Sequence, residues 1–188
     1  TLLTSVDERY MGHPDFEPLY EELNRRKAVT FIHPCYPPGT EADGWNIPRM
    51  IIDYPFETTR VATNLIMNGV MERLPDIPFI LSHSGGTLPF LAHRIAIFDK
   101  KTALQDKYPK GAMAYMKRFY FDTALSGDAV PLAALSGVID PSQILFGTDY
   151  PYISEDVVAS ETAGFDAYAG FDDATRARLT ILVHTKDA

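Results

Sequence analysis

Phe79-Ile80-Leu81-Ser82-His83-Ser84-Gly85-Gly86 is an apolar run that drives into a histidine and two glycines before a helical pattern begins. Short apolar runs bounded by glycine read as strands buried on both faces, as in parallel sheets. A titratable side chain at the carboxyl end of such a strand lies where α/β folds keep their chemistry. Working outward, three further runs end in the same way. Ala28-Val29-Thr30-Phe31-Ile32 stops at His33-Pro34, where proline forbids simple continuation. Phe119-Tyr120-Phe121 delivers Asp122 and Thr123, and Ile144-Leu145-Phe146 runs into Gly147-Thr148-Asp149-Tyr150-Pro151.

Between these runs the apolar period lengthens. After His13-Pro14 a helix is predicted with Asp15 as N-cap and Phe16, Leu19, Tyr20 and Leu23 on one face. Another carries Val61, Leu65, Ile66 and Val70 and ends near Leu74-Pro75. Leu88, Leu91, Ala92, Ile95 and Phe98 form an inward stripe past Gly86. Short helices are expected around residues 112–116 and at Leu132 and Leu135, then a weakly helical stretch from Glu155. The final helix is capped by Asp172 and is expected to bury Ala177, Ile181 and Leu182. Residues 35 to about 56 read as a long proline-rich loop. Trp45, the only tryptophan, stands there among Ile47, Met50, Ile51 and Ile52, which favours an ordered lid. Residues 1–6 read as the tail of a strand already under way, in a chain whose opening portion is absent.

Alternating strands and helices imply a parallel sheet with right-handed crossovers. Either a closed (β/α)8 barrel or an open doubly wound sheet accommodates the order. A barrel takes about 250 residues, and the 188 residues here supply four full strands and a stub. One domain over residues 1–188 is expected. The formal net charge of −8 argues against nucleic acid or an anionic membrane as partner, because no basic patch is there to bind phosphates. A single cysteine, Cys35, rules out an intrachain disulfide and fits a reducing, cytoplasmic compartment. No stretch approaches the ~20 apolar residues of a membrane span, and no secretory leader is expected.

Three strand ends thus carry metal-grade ligands: His33, His83 and Asp149. Imidazole and carboxylate together suit zinc or a similar divalent ion, and parallel strand ends all open onto one face. Taken alone, each histidine reads as a hydrogen-bonded core residue and Asp149 as a cap or turn residue ahead of Tyr150-Pro151. One candidate at each of three strand ends shifts the balance. Asp122 and Thr123 are placed either to orient a ligand through hydrogen bonds or to satisfy a strand end. Ser84-Gly85-Gly86 offers backbone N–H groups to a phosphate or carboxylate but is no dinucleotide fingerprint. Arg94 is placed to meet an anionic substrate or to make an ordinary salt bridge. Cys35 reads as a small buried thiol, and His13, His93 and His184 as structural or exposed.

In combination, Ile32-His33-Pro34, His83-Ser84-Gly85-Gly86 with Leu88-Pro89 and Arg94, Phe121-Asp122-Thr123 and Leu145-Phe146-Gly147-Thr148-Asp149-Tyr150-Pro151 resemble the amidohydrolase-related metal-dependent decarboxylases. Relatives include aminocarboxymuconate-semialdehyde decarboxylase and the resorcylate and salicylate-type enzymes. The resemblance runs through nearly all of the chain. It implies an α/β fold that is the C-terminal portion, about half, of a (β/α)8 TIM barrel. It also implies one divalent metal ion, zinc or alternatively manganese. His33 would then be a metal ligand, Asp149 a ligand or acid–base group, and His83 a catalytic general acid/base. Trp45 falls in the loop that shapes the substrate pocket in the family; from the residues themselves, Ser84 and Arg94 stand as further candidate substrate contacts, and Asp122 and Thr123 as candidates to orient the ligands.

The family also places a paired motif, His-x-His or Glu-x-His, on its first strand, and this chain has none. By itself the segment is expected to bind metal poorly and catalyse nothing. In the intact polypeptide the resemblance implies non-oxidative decarboxylation of a small aromatic or unsaturated carboxylic acid, in a homo-oligomer, dimer or tetramer. Two alternatives stand beside this: a metal-dependent hydrolase of an amide or lactone, and a catalytically incomplete fragment.

Overall fold

The computed structural model describes residues 1–39, 46–99, 103 and 105–184, with side chains as far as Leu179. Five short strands form one sheet: β1 (Leu2–Leu3), β4 (Thr30–His33), β5 (Phe79–Leu81), β6 (Tyr120–Asp122) and β7 (Ile144–Leu145). Every adjacent pair is parallel. The order β1-β4-β5-β6-β7 follows the chain without reversal. A doubly wound sheet reverses at a switch point, so that alternative is excluded. With right-handed crossovers, a monotonic order puts every helix on the same face.

The register shows which face that is. Ile32, Leu81, Phe121 and Ile144 are paired neighbours in one row, and each is fully buried. They join Val61, Leu65, Leu88, Ala92, Leu132, Leu135, Phe165 and Leu179 in one core. These helical residues come from α2 (Arg49–Met67), α4 (Leu88–Ile97), α6 (Ala129–Ser136), α7 (Glu155–Ala167) and α8 (Asp173–His184). The opposite face carries Phe31, Tyr120 and Leu3, the last 47% exposed. His33 lies on the same face, one row beyond Phe31 and Tyr120 and paired with Leu3. The strands therefore separate an apolar, helix-covered side from a side that ends in titratable groups.

Short helices α1 (Glu17–Arg26), α3 (Val70–Arg73) and α5 (Ala112–Met116) complete the fold. Several boundaries differ from the sequence reading for identifiable reasons. The opening strand is split: β1 joins the sheet, while β2 (Ser5–Val6) pairs antiparallel with β3 (Arg9–Tyr10) across Asp7 and Glu8, both at positive φ. Asp15 does not cap α1. Residues 14–16 make a 3-10 turn capped by His13, and Asp15 pairs with Arg9 at 3.0 Å.

The proline-rich loop ends at Pro48, not near residue 56, because α2 begins at Arg49 and runs through Pro55. Arg49 and Asp53 tie its first turns at 3.0 Å, an i,i+4 pair. Ile47, Met50, Ile51 and Ile52 are exposed and do not pack down as a lid, and Trp45 lies outside the described residues. In α8, Leu179 is buried and Ala177 exposed, and the side chains of Ile181, Leu182 and His184 are outside the described residues. Among the described residues no helix is long and apolar enough to cross a membrane.

Candidate metal centre

His33 closes β4, and proline follows it, so the strand ends there and the imidazole is left at the sheet's carboxyl edge. Its Nδ1 lies 2.9 Å from the carbonyl of Pro34. A neutral ring donating there keeps the Nε2 lone pair for another partner. His83 follows β5 and is 9% exposed. The backbone at His83, Ser84, Gly85 and Gly86 has φ of 55°, 55°, 73° and 63°. Such a left-handed run costs energy at non-glycine residues and persists only where surroundings over-determine it. Asp149, in the loop after β7, is also at positive φ, 65°.

These three side chains converge. One ligand atom each from His33, His83 and Asp149 lies within 4.8 Å of the others, and the two imidazole centroids are 5.7 Å apart. Two imidazoles and a carboxylate are a borderline-soft donor set of the kind that divalent transition metals take. Among the described residues the buried Nδ1 of His83 has no hydrogen-bond partner, nor has the buried hydroxyl of Ser82 in the preceding position. Unsatisfied buried polar atoms are costly, and their presence beside the donors fits a site built to receive a ligand.

Burial dominates the titration of His83 and lowers it below the ordinary imidazole value, His33 adding to this and the Asp149 carboxylate opposing it. The unfolded chain therefore takes the proton first, and stability falls as pH drops below about 6.5. We expect NMR titration of the metal-free protein to place the His83 imidazole transition below the ordinary value of 6.5. A transition at or above it would refute the dominance of burial. Asp122 is pushed up to about 7 by burial, against the pull of the two backbone N–H groups its carboxylate accepts.

The other predicted residues fall in distinct places. Ser84 is buried and its hydroxyl donates to the Asp122 carbonyl at 3.3 Å, so it is engaged within the chain. Arg94 is exposed on α4. Asp122 and Thr123 are buried beside the cluster. Sequence reasoning missed Tyr54. Its ring meets His33 edge-on at 6.2 Å and Tyr36 at 6.0 Å. Its phenol is raised first by burial and then by its neighbours, Asp149 included. The one available signal was the Arg49/Asp53 spacing, which places Tyr54 on a helix rather than in a loop.

Parallel strands in chain order, with two histidines and one carboxylate gathered at their carboxyl ends, are the layout of an α/β barrel with a candidate metal site. The amidohydrolase family profile matches residues 2–183, and the chain belongs to that family. Decarboxylase macB of Penicillium terrestre is 45% identical over an alignment of 154 residues that covers 76% of this chain and 45% of that protein. The 6-methylsalicylic acid decarboxylase of Penicillium expansum is 39% identical over an alignment of 163 residues that covers 85% of this chain and 49% of that one. The crystal structure of 5-carboxyvanillate decarboxylase from Novosphingobium aromaticivorans, complexed with manganese and 4-hydroxy-3-methoxy-5-nitrobenzoic acid, superposes with a TM-score of 0.77 at 19% identity. It covers 93% of this chain and 51% of that chain, a likeness of fold. The chain spans about half the length of the curated relatives it matches and is a partial (β/α)8 barrel.

Proposed function

We propose that the intact polypeptide is a metal-dependent, non-oxidative decarboxylase of a small aromatic carboxylic acid of the salicylate type. The observation that carries this is the convergence of His33, His83 and Asp149 within 4.8 Å at the ends of three strands. The decarboxylase names of relatives at 45% and 39% identity support it. His33 and Asp149 would hold one divalent ion, zinc or manganese, and manganese is the ion in the 5-carboxyvanillate decarboxylase structure. When bound, that ion fixes the substrate's carboxylate or phenolate and stabilises negative charge.

The chain's own residues handle the proton. His83 gives a proton to the ring carbon as the bond from that carbon to the carboxylate breaks, and carbon dioxide leaves. The reaction balances as arene carboxylate plus one proton giving arene plus carbon dioxide. Burial and His33 disfavour imidazolium, so a proton placed on His83 is readily surrendered. The Asp149 carboxylate opposes them and favours the protonated form, with burial the larger effect; the proton itself is resupplied from solvent. Tyr54 and Tyr36 supply an aromatic wall, and Trp45 and Arg94 are the remaining candidate substrate contacts. A homo-oligomer and a reducing, cytoplasmic compartment complete the reading.

Incubating the intact polypeptide with 6-methylsalicylate should release carbon dioxide and the corresponding phenol. A chelator should abolish turnover, and zinc or manganese should restore it. Turnover of lactones or amides, with silence across a panel of aromatic acids, would favour the hydrolase alternative instead.

A further inference from the structure

We infer that Asp122 and Thr123, at the end of β6, are positioning residues that jointly set where His83 and Asp149 stand relative to each other. The inference deepens the decarboxylase reading above and rests on it. β6 lies between β5 and β7 in the sheet, yet it sends no side chain into the cluster of His33, His83 and Asp149. Its last residue, Asp122, and the next one, Thr123, reach sideways in opposite directions.

Toward β5, one carboxylate oxygen of Asp122, Oδ1, accepts the main-chain N–H of His83 at 2.7 Å and that of Ala124 at 3.1 Å. The Ser84 hydroxyl donates to the Asp122 carbonyl. Two successive left-handed residues, His83 and Ser84, are thus both tied to Asp122. Toward β7, the Thr123 hydroxyl accepts the N–H of Gly147 at 3.1 Å and donates to its carbonyl at 3.2 Å. Gly147 stands two residues before Asp149, whose own φ is positive. Non-glycine residues in this region are strained and relax unless held. The two strained turns that present His83 and Asp149 are therefore pinned to adjacent residues at the end of one strand.

What these bonds require is specific. Asp122 needs an acceptor oxygen, not a charge or a proton, and Thr123 needs a hydroxyl. In the intact polypeptide, Asp122→Ala and Thr123→Val should each lower kcat about 10–100-fold with KM little changed. Asp122→Asn and Thr123→Ser should recover most of that loss. Hydrogen exchange gives a readout independent of turnover: the His83 amide should lose protection in Asp122→Ala, and the Gly147 amide in Thr123→Val, with both restored in the conservative variants. Asp122→Ala leaves two N–H groups unpaired; if it does not fold, Asp122→Asn and Thr123→Val carry the test.

The inference is overturned if folded Asp122→Asn loses as much turnover as Asp122→Ala, which would assign the carboxylate a charge or proton role. It is equally overturned if folded Thr123→Val keeps its turnover, or if amide protection at His83 and Gly147 does not respond. Should no form of the protein decarboxylate any acid, the functional reading fails while the exchange pattern still decides the positioning role.

Discussion

Replacing His83 with asparagine should lower turnover of the intact polypeptide by about 10²–10⁴-fold, the usual worth of a placed general acid, while leaving its metal content unchanged. The reasoning separates the members of the cluster. His33 has its Nδ1 engaged with the Pro34 carbonyl, which leaves Nε2 to face a ligand, the arrangement of a fixed metal donor. His83 has a buried Nδ1 without a partner among the described residues and a titration set mainly by burial, as suits a group that exchanges a proton. His33→Ala should therefore lose metal and activity together. Metal analysis of purified variants beside kcat would distinguish them, and loss of metal from His83→Asn would reassign His83 as a ligand.

Gly86→Ala should be among the most damaging single-methyl changes in the protein. Gly86 has φ 63° and ψ −123°, a conformation that essentially only glycine adopts. A Cβ there would stand 1.9 Å from the carbonyl oxygen of Pro55, inside α2. Strain and overpacking each contribute about 1–3 kcal/mol, and a domain of this size loses roughly 2–4 °C of Tm per kcal/mol. A fall in Tm of about 10 °C is expected, with loss of turnover because the same turn carries His83. Gly39→Ala is the control: its φ is also positive, 76°, but among the described residues nothing lies within 4 Å of the added methyl. Equal melting temperatures for the two variants would show that the Pro55 contact is immaterial.

That contact also explains what the sequence concealed. The strands were legible because each is a short apolar run, and all four that end in polar residues stand where the runs predict. Their burial on one face made the histidines and Asp149 readable as strand-end groups. The start of α2 was not readable, because Pro48 and Pro55 are local breaking signals. What holds Pro55 in the helix is partly tertiary: the Thr59 hydroxyl, one turn on, donates to its carbonyl at 2.7 Å and itself accepts the Thr87 N–H at 2.8 Å, and Gly86 packs on the same carbonyl. Tyr54 was lost with it, since reading a helix as a loop removes the facing of its side chains. The left-handed backbone at His83 and Ser84 was hidden for a different reason. Neither residue type announces positive φ, and the compensation comes from Asp122, 39 positions along the chain from His83.

Sturdiness and reactivity are consequently at odds in this molecule. An engineer seeking a more heat-tolerant variant would look first at Ser84, where glycine would suit the backbone better than serine does. That exchange would gain robustness by loosening the segment that aims the imidazole. The discomfort of the chain at this bend is the cost of holding His83 still, and selection for durability alone would erode it.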